Sequence, residues 1–262
     1  MQLLRSFFMI KLLFSSAFAA ITQRNIDRVS SSVPSIRLTT STSESLKSFS
    51  TNTSHVIYTK NWAGAVLKAP PANTKFDAVS AQFIVPSPKG NGAASAWVGI
   101  DGHTYASAIL QTGVDFFVEN GNPSYKAWYE WYPDYAYDFT GIDISAGDVM
   151  NISVLSISPI EGIAEIINMT KNQKVSKTLT APTMNSALGG QNAEWIVEDF
   201  TENGESVPLT NFGKVDFTGS VTRLSTGSFL DATNAELLDI KLNGRVMTSS
   251  KISGTKISVK YR

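Results

Sequence analysis

AILQTGVDFFVENG, residues 108–121, decides how the rest of the chain is read. Ala108 to Val118 is rich in apolar, β-branched and aromatic residues, and Glu119-Asn120-Gly121 stops it as a turn. Side chains alternate along such a strand, so Gln111 shares a face with Ile109, Gly113 and Asp115. The pattern recurs outward in both directions. Val79–Val85 ends at Pro86-Ser87-Pro88, and Ala94–Ile100 ends at Asp101-Gly102. Val149–Ile157, Ile163–Ile167, Glu194–Phe200, Gly213–Phe217, Ala235–Leu242 and Lys256–Tyr261 follow. No helical period of useful length competes with them. Short strands broken by Gly, Asn, Asp and Pro predict an all-β fold of two antiparallel sheets packed face to face.

The strands begin after residue 54, and what precedes them is different in kind. Residues 1–20 read as a signal peptide: Arg5, then the mainly apolar stretch Leu12 to Phe18, then Ala17-Phe18-Ala19 as a cleavage site. Residues 21–54 are dominated by Ser and Thr without a lasting period, which predicts a largely disordered propeptide or linker. Residues 55–262 form the domain. Of 22 basic and 22 acidic residues, six and two fall before residue 55, leaving a mildly acidic domain at −4. That balance offers no basic surface for nucleic acid. The basic leader (Arg24, Arg28, Arg37, Lys47) is read either as docking on the acidic domain at neutral pH and loosening in acid or as a passive secretion linker. The chain is predicted to be secreted to the extracellular space, with no membrane association once the signal is removed, and to be a monomer. Sequons at Asn52, Asn151 and Asn168 fit a glycoprotein.

The absences narrow the chemistry. Without cysteine there is no thiol nucleophile, disulfide or Cys-based zinc site, and no metal or other cofactor is expected. The two histidines are His55 and His103, and His103 reads as a solvated turn residue in Asp101-Gly102-His103-Thr104. Amides and carboxylates on strands remain. Gln111 is unusual between apolar neighbours, and Gly113, next on its face, leaves room for another backbone or a ligand; an edge or solvent-facing glutamine is the alternative. In Glu194–Phe200, Glu194, Ile196, Glu198 and Phe200 share a side, so Glu194 is either an exposed charge or a carboxylate at a cleft. The aromatic run Trp128 to Phe139 alternates at its start, with Trp128, Glu130 and Tyr132 on one face and Tyr129 and Trp131 on the other. Such surface suits core packing, an extended peptide or a sugar. A β-sandwich glycosidase using Glu130 and Glu194, or a non-catalytic lectin-like carbohydrate binder, therefore stays open beside a peptidase.

A longer set of matches resembles one family. NWAGAV (61–66), ASAWVGIDG (94–102), AILQTGVDF (108–116), AWYEWYPD (127–134), ISAGD (144–148), NAEWIVEDF (192–200), NFG (211–213) and VDFT (215–218) occur in the order found in glutamic peptidases, or eqolisins. These are fungal-type acid proteases insensitive to pepstatin. The resemblance implies a concanavalin-like sandwich of two antiparallel sheets of about seven strands each, with a polypeptide substrate across a concave face. It implies Glu194 and Gln111 as the catalytic pair and Trp97 in the same site. It also implies Asp101, Asp115 and Glu130 near the cleft, with Trp128 and Tyr132 as further substrate-binding residues.

Overall fold

The computed structural model describes Ser30–Ser31, Pro34–Ser35, Leu38 and residues 56–262 except 203 and 204. The signal segment, the four basic leader residues, His55 and the Asn52 sequon lie outside the described residues. Among the described residues, fourteen strands of four or more residues build the domain. They are β1 Val56–Thr59, β2 Trp62–Leu67, β3 Phe76–Ile84, β4 Gly92–Ile100, β5 Ile109–Glu119, β6 Asn122–Tyr132 and β7 Val149–Ser158, then β8 Glu161–Asn168, β9 Gln173–Thr180, β10 Ala193–Glu198, β11 Lys214–Leu224, β12 Glu236–Leu242, β13 Thr248–Ser253 and β14 Lys256–Tyr261.

They divide into two sheets. One runs β9-β8-β7-β3-β11-β14-β13; the other runs β12-β2-β10-β4-β5-β6, with β1 added to β12 as the parallel exception. Each sheet thus has seven such strands, and the ribbons Phe229–Asp231, Tyr137–Asp138 and Arg245–Val246 extend them to eight and nine. Alternation accounts for the core. Inward side chains of the second sheet (Ala96, Val98, Leu110, Val114, Phe116, Trp195 and Val197) meet Val79, Ala81, Phe83, Ile152, Val154, Phe217 and Val259 of the first. Phe83 makes edge contacts with Phe116 at 6.3 Å and Phe217 at 5.8 Å, tying the layers together.

Two local devices aim the functional face. Asn120 (φ 52°) and Gly121 (φ 80°) form the two-residue link of the β5–β6 hairpin and pair Glu119 with Asn122. Counting back along both strands from that turn puts Gln111 opposite Glu130. On β10, Trp195 points inward and donates its indole N–H to Ser80 O on the other sheet at 3.0 Å. Glu194 and Ile196 must then face outward.

One sequon is closed by the fold. Asn168 is fully buried, its Nδ2 donating to Asp143 O and Asp148 Oδ2, each at 2.8 Å, and its Oδ1 accepting the Thr170 and Lys171 N–H groups, each at 3.1 Å. A glycan would replace one of the two Asn168 Nδ2 hydrogens that make the bonds to Asp143 and Asp148. Asn151 is half-buried on β7, between Gln82 and Ile167 of the flanking strands.

Candidate active site

Outward residues of the β12-to-β6 sheet form a second apolar cluster, separate from the core: Trp62, Val66, Trp97, Ile109, Trp128, Ile196 and Leu238, with Tyr132 packed against it. One row of polar groups crosses it. Pairing aligns Glu194 on β10 with Gly99 on β4, Gly99 with Gln111 on β5, and Gln111 with Glu130 on β6. Neighbouring strands lie about 4.8 Å apart, so Glu194 and Gln111, two strands apart, have Cα atoms roughly 10 Å from each other. Gly99 leaves the space between them open. A Cβ there would lie 3.2 Å from Glu194 Oε2 and 3.3 Å from Gln111 Cβ. Sequence reasoning passed over Gly99; the clue was a glycine two residues after Trp97 on the same face.

Gln111 is completely buried in a central strand and is not the edge or solvent-facing residue weighed from sequence. Its Nε2 donates to Glu130 Oε2 at 3.3 Å. An ionised carboxylate only accepts, so this pairing turns the amide N–H side toward Glu130 and leaves Oε1 and the second N–H unused by it. Among the described residues, both Glu194 oxygens and Gln111 Oε1 are buried without a hydrogen-bond partner. Buried polar atoms left so are costly. Glu194 Oε2 stands at the gap over Gly99 and the Gln111 side chain borders it, a setting that suits a small polar guest.

Burial pushes the Glu194 carboxyl well above the usual carboxylate range, and the charge of Asp101 adds to the rise; the nearby His103 N–H pulls weakly the other way.

Asp101 corrects a second expectation. Its carboxylate accepts four backbone N–H groups, from Gly189, Gly190, Gln191 and Asn192, at 2.7–3.2 Å, so it is occupied by scaffold bonds and not presented to substrate. Asn192 reciprocates, its Oδ1 accepting the N–H groups of His103, Thr104 and Tyr105 at 2.8–3.2 Å. The two side chains clamp the loops on either side of Glu194. Burial still pushes the Asp101 carboxyl up, outweighing those four donors. The His103 side chain is 2% exposed, with Nε2 3.6 Å from Glu236 Oε2, so it is not the solvated histidine expected of that turn.

The aromatic residues are pinned as well. Trp97 donates its indole N–H to Glu198 Oε2 at 2.8 Å and meets Trp62 edge-on at 4.8 Å. Trp128 donates to Ser95 Oγ at 3.0 Å. Asp115 is buried on the same face, in the row that joins Glu198, Ser95 and Lys126. Tyr132 is half-buried opposite Ile109. The room expected beside Gly113 is taken by the neighbouring strand, since a Cβ there would meet Ala96 O at 2.4 Å and Trp97 Cβ at 2.5 Å. Gly113 therefore seats Trp97.

Residues 60–261 match the family model described as the Peptidase A4 family. The chain belongs to that family. It is 41% identical to Aspergillopepsin-2 of Aspergillus niger over 226 residues, 78% of each chain. It is 43% identical to Scytalidopepsin B of Scytalidium lignicola over 211 residues, 77% of each. Among solved structures it is similar to scytalido-glutamic peptidase with a transition state analog inhibitor, with 40% identity and a TM-score of 0.71, covering 78% of this chain and 98% of that one. This eqolisin is accordingly a peptide hydrolase of the glutamic type, with the β-sandwich that the strand pattern predicts.

Proposed function

We propose that the chain is a secreted acid endopeptidase in which Glu194 and Gln111 act on one water held over Gly99. The observation that carries this reading is that Glu194 and Gln111, whose side chains hold unpartnered buried oxygens, flank that glycine in register, with Glu194 Oε2 at the gap. Water donates one hydrogen to the Glu194 carboxylate and one to Gln111 Oε1. As its oxygen bonds to the scissile carbonyl carbon, its proton passes to Glu194. The free N–H of Gln111 donates to the oxyanion that forms. When the C–N bond breaks, Glu194 returns the proton to the leaving nitrogen. Hydrogen bonds from water favour the ionised carboxylate and oppose the burial that raises its pKa.

The aromatic floor of Trp62, Trp97 and Trp128 supplies flat apolar surface to an extended polypeptide. Glu130 holds the Gln111 amide and sits three strands, roughly 14 Å by Cα, from Glu194, which leaves it the role of orienting Gln111. In acid, with pepstatin present, the protein should digest denatured casein. Gln111→Ala should lower kcat by about 10²–10³-fold, the usual cost of one oxyanion donor. Wild-type turnover by that variant would remove Gln111 from the mechanism. Release of reducing sugar from glycans without peptide cleavage would replace the peptidase reading.

A further inference from the structure

The polar row that holds Glu194 continues past it, away from Gln111. Pairing sets Glu194 opposite Val66 on β2, and Val66 opposite Glu236 on β12. Glu236 therefore shares the outward face and lies two strands from Glu194, roughly 10 Å by Cα. His103 reaches both ends of this second gap. Its main-chain N–H lies near the Glu194 carboxyl, and its Nε2 lies 3.6 Å from Glu236 Oε2.

The loop that carries His103 is fastened to the site face. A Cβ at Gly102 (φ 117°) would meet Ile109 at 2.7 Å and Trp62 at 3.0 Å, so this loop rests directly on the outward apolar cluster. Thr104 Oγ1 and Asn192 Nδ2 both donate to Lys68 O, at 3.3 and 3.0 Å. Lys68 Nζ meets Glu236 Oε1 at 2.6 Å, which holds the carboxylate that faces the imidazole. The ring is thus enclosed in a fixed place.

Among the described residues, the charged groups around it are Glu236 from β12, Glu194 from β10, Asp101 from its own loop, and Lys68 beyond β2. Three are acidic, and the one cation is already paired with Glu236. An imidazole in acid ordinarily carries a proton, since it titrates near pH ~6.5. Burial and Asp101 both resist ionisation of Glu194, and a neighbouring cation opposes them.

We propose that His103 is a positioning residue for the reaction: protonated in acid and held against Glu236, it sets a positive charge beside Glu194 and keeps that carboxyl in the ionised form that takes a proton from water. This rests on the peptidase reading above.

The test is the pH profile of kcat/KM on a denatured polypeptide, whose rise from the acid side follows ionisation of Glu194 in the free enzyme. His103→Gln removes the charge, so that rise should move to higher pH by at least about half a unit, a modest effect for a unit charge within the site. At any pH on the rise, turnover should then fall roughly threefold or more. His103→Lys restores a cation and should bring the rise back. In parallel, NMR titration of the imidazole protons in the wild type, which has only His55 and His103, should show His103 protonated throughout that pH range.

A rise that stays in place in His103→Gln, or that moves equally in His103→Lys, would overturn the proposal and leave the peptidase standing, with His103 a packing residue of its loop. A neutral His103 across the range would overturn it too, even if His103→Gln does not fold. If wild type digests no polypeptide in acid, the peptidase reading fails, and this role with it.

Discussion

Glu194→Gln should lower kcat on a denatured polypeptide by about 10⁴-fold, the upper range for a group that both takes and returns the proton, while leaving the fold intact. The substitution keeps the shape of a side chain packed without exposure and removes the charge that its surroundings resist. A stability signature follows from the same cause. Because the folded pKa is raised, the folded state binds more protons than the unfolded one above the unfolded value of about 4.3. The wild type therefore loses stability as pH rises from there toward the folded pKa, and the glutamine protein does not. Thermal melts should coincide near pH 3 and separate toward neutrality, with Glu194→Gln the more stable. A variant that is inactive and also less stable at every pH would mean that Glu194 is a structural carboxylate.

Gly99→Ala should be nearly as damaging, for a steric reason. The new methyl would sit 2.9 Å from Trp97 Cζ3 as well as 3.2 Å from Glu194 Oε2 and 3.3 Å from Gln111 Cβ. Trp97 has little freedom to yield, since its indole N–H is held by Glu198 and its ring abuts Trp62. Overpacking of this kind typically costs about 1–3 kcal/mol of stability. The catalytic loss should be larger, at least about 10²-fold in kcat, because a displacement of about 1 Å in catalytic geometry is worth that much. Adding Trp97→Phe removes the closest clash and should recover stability. Activity should stay low, because the methyl still stands between Glu194 and Gln111. Recovery of both would mean that Gly99 matters only for packing Trp97.

How far the sequence carried these conclusions depended on whether a feature is local. Asn120-Gly121 is a local turn signal, and it sets the register that brings Gln111 opposite Glu130. Alternation in Trp128–Tyr132 separated Trp128 and Tyr132, which join the site cluster, from Tyr129 and Trp131, which pack in the core. Nothing local says that β10 inserts between β2 and β4, yet that non-local choice alone puts Glu194 and Gln111 either side of Gly99. The strands Gln173–Thr180 and Thr248–Ser253 were not recognised, because edge strands with mostly exposed or half-exposed side chains need few apolar residues. His103 was misjudged from a turn motif, and Asp101 from its place in the family resemblance. Their surroundings come from residues 189–192 and from Glu236, distant in sequence, which no turn pattern encodes.

The central claim is that one amide and one carboxyl group work on the same water, and a double-mutant cycle tests it most directly. Turnover of denatured casein in acid should be measured for wild type, Gln111→Ala, Glu194→Gln and the double variant. Groups that act as one unit give non-additive losses. The double variant should therefore be no slower than Glu194→Gln alone. Losses that multiply, or a Glu194→Gln protein that still turns over at the wild-type rate, would contradict the account.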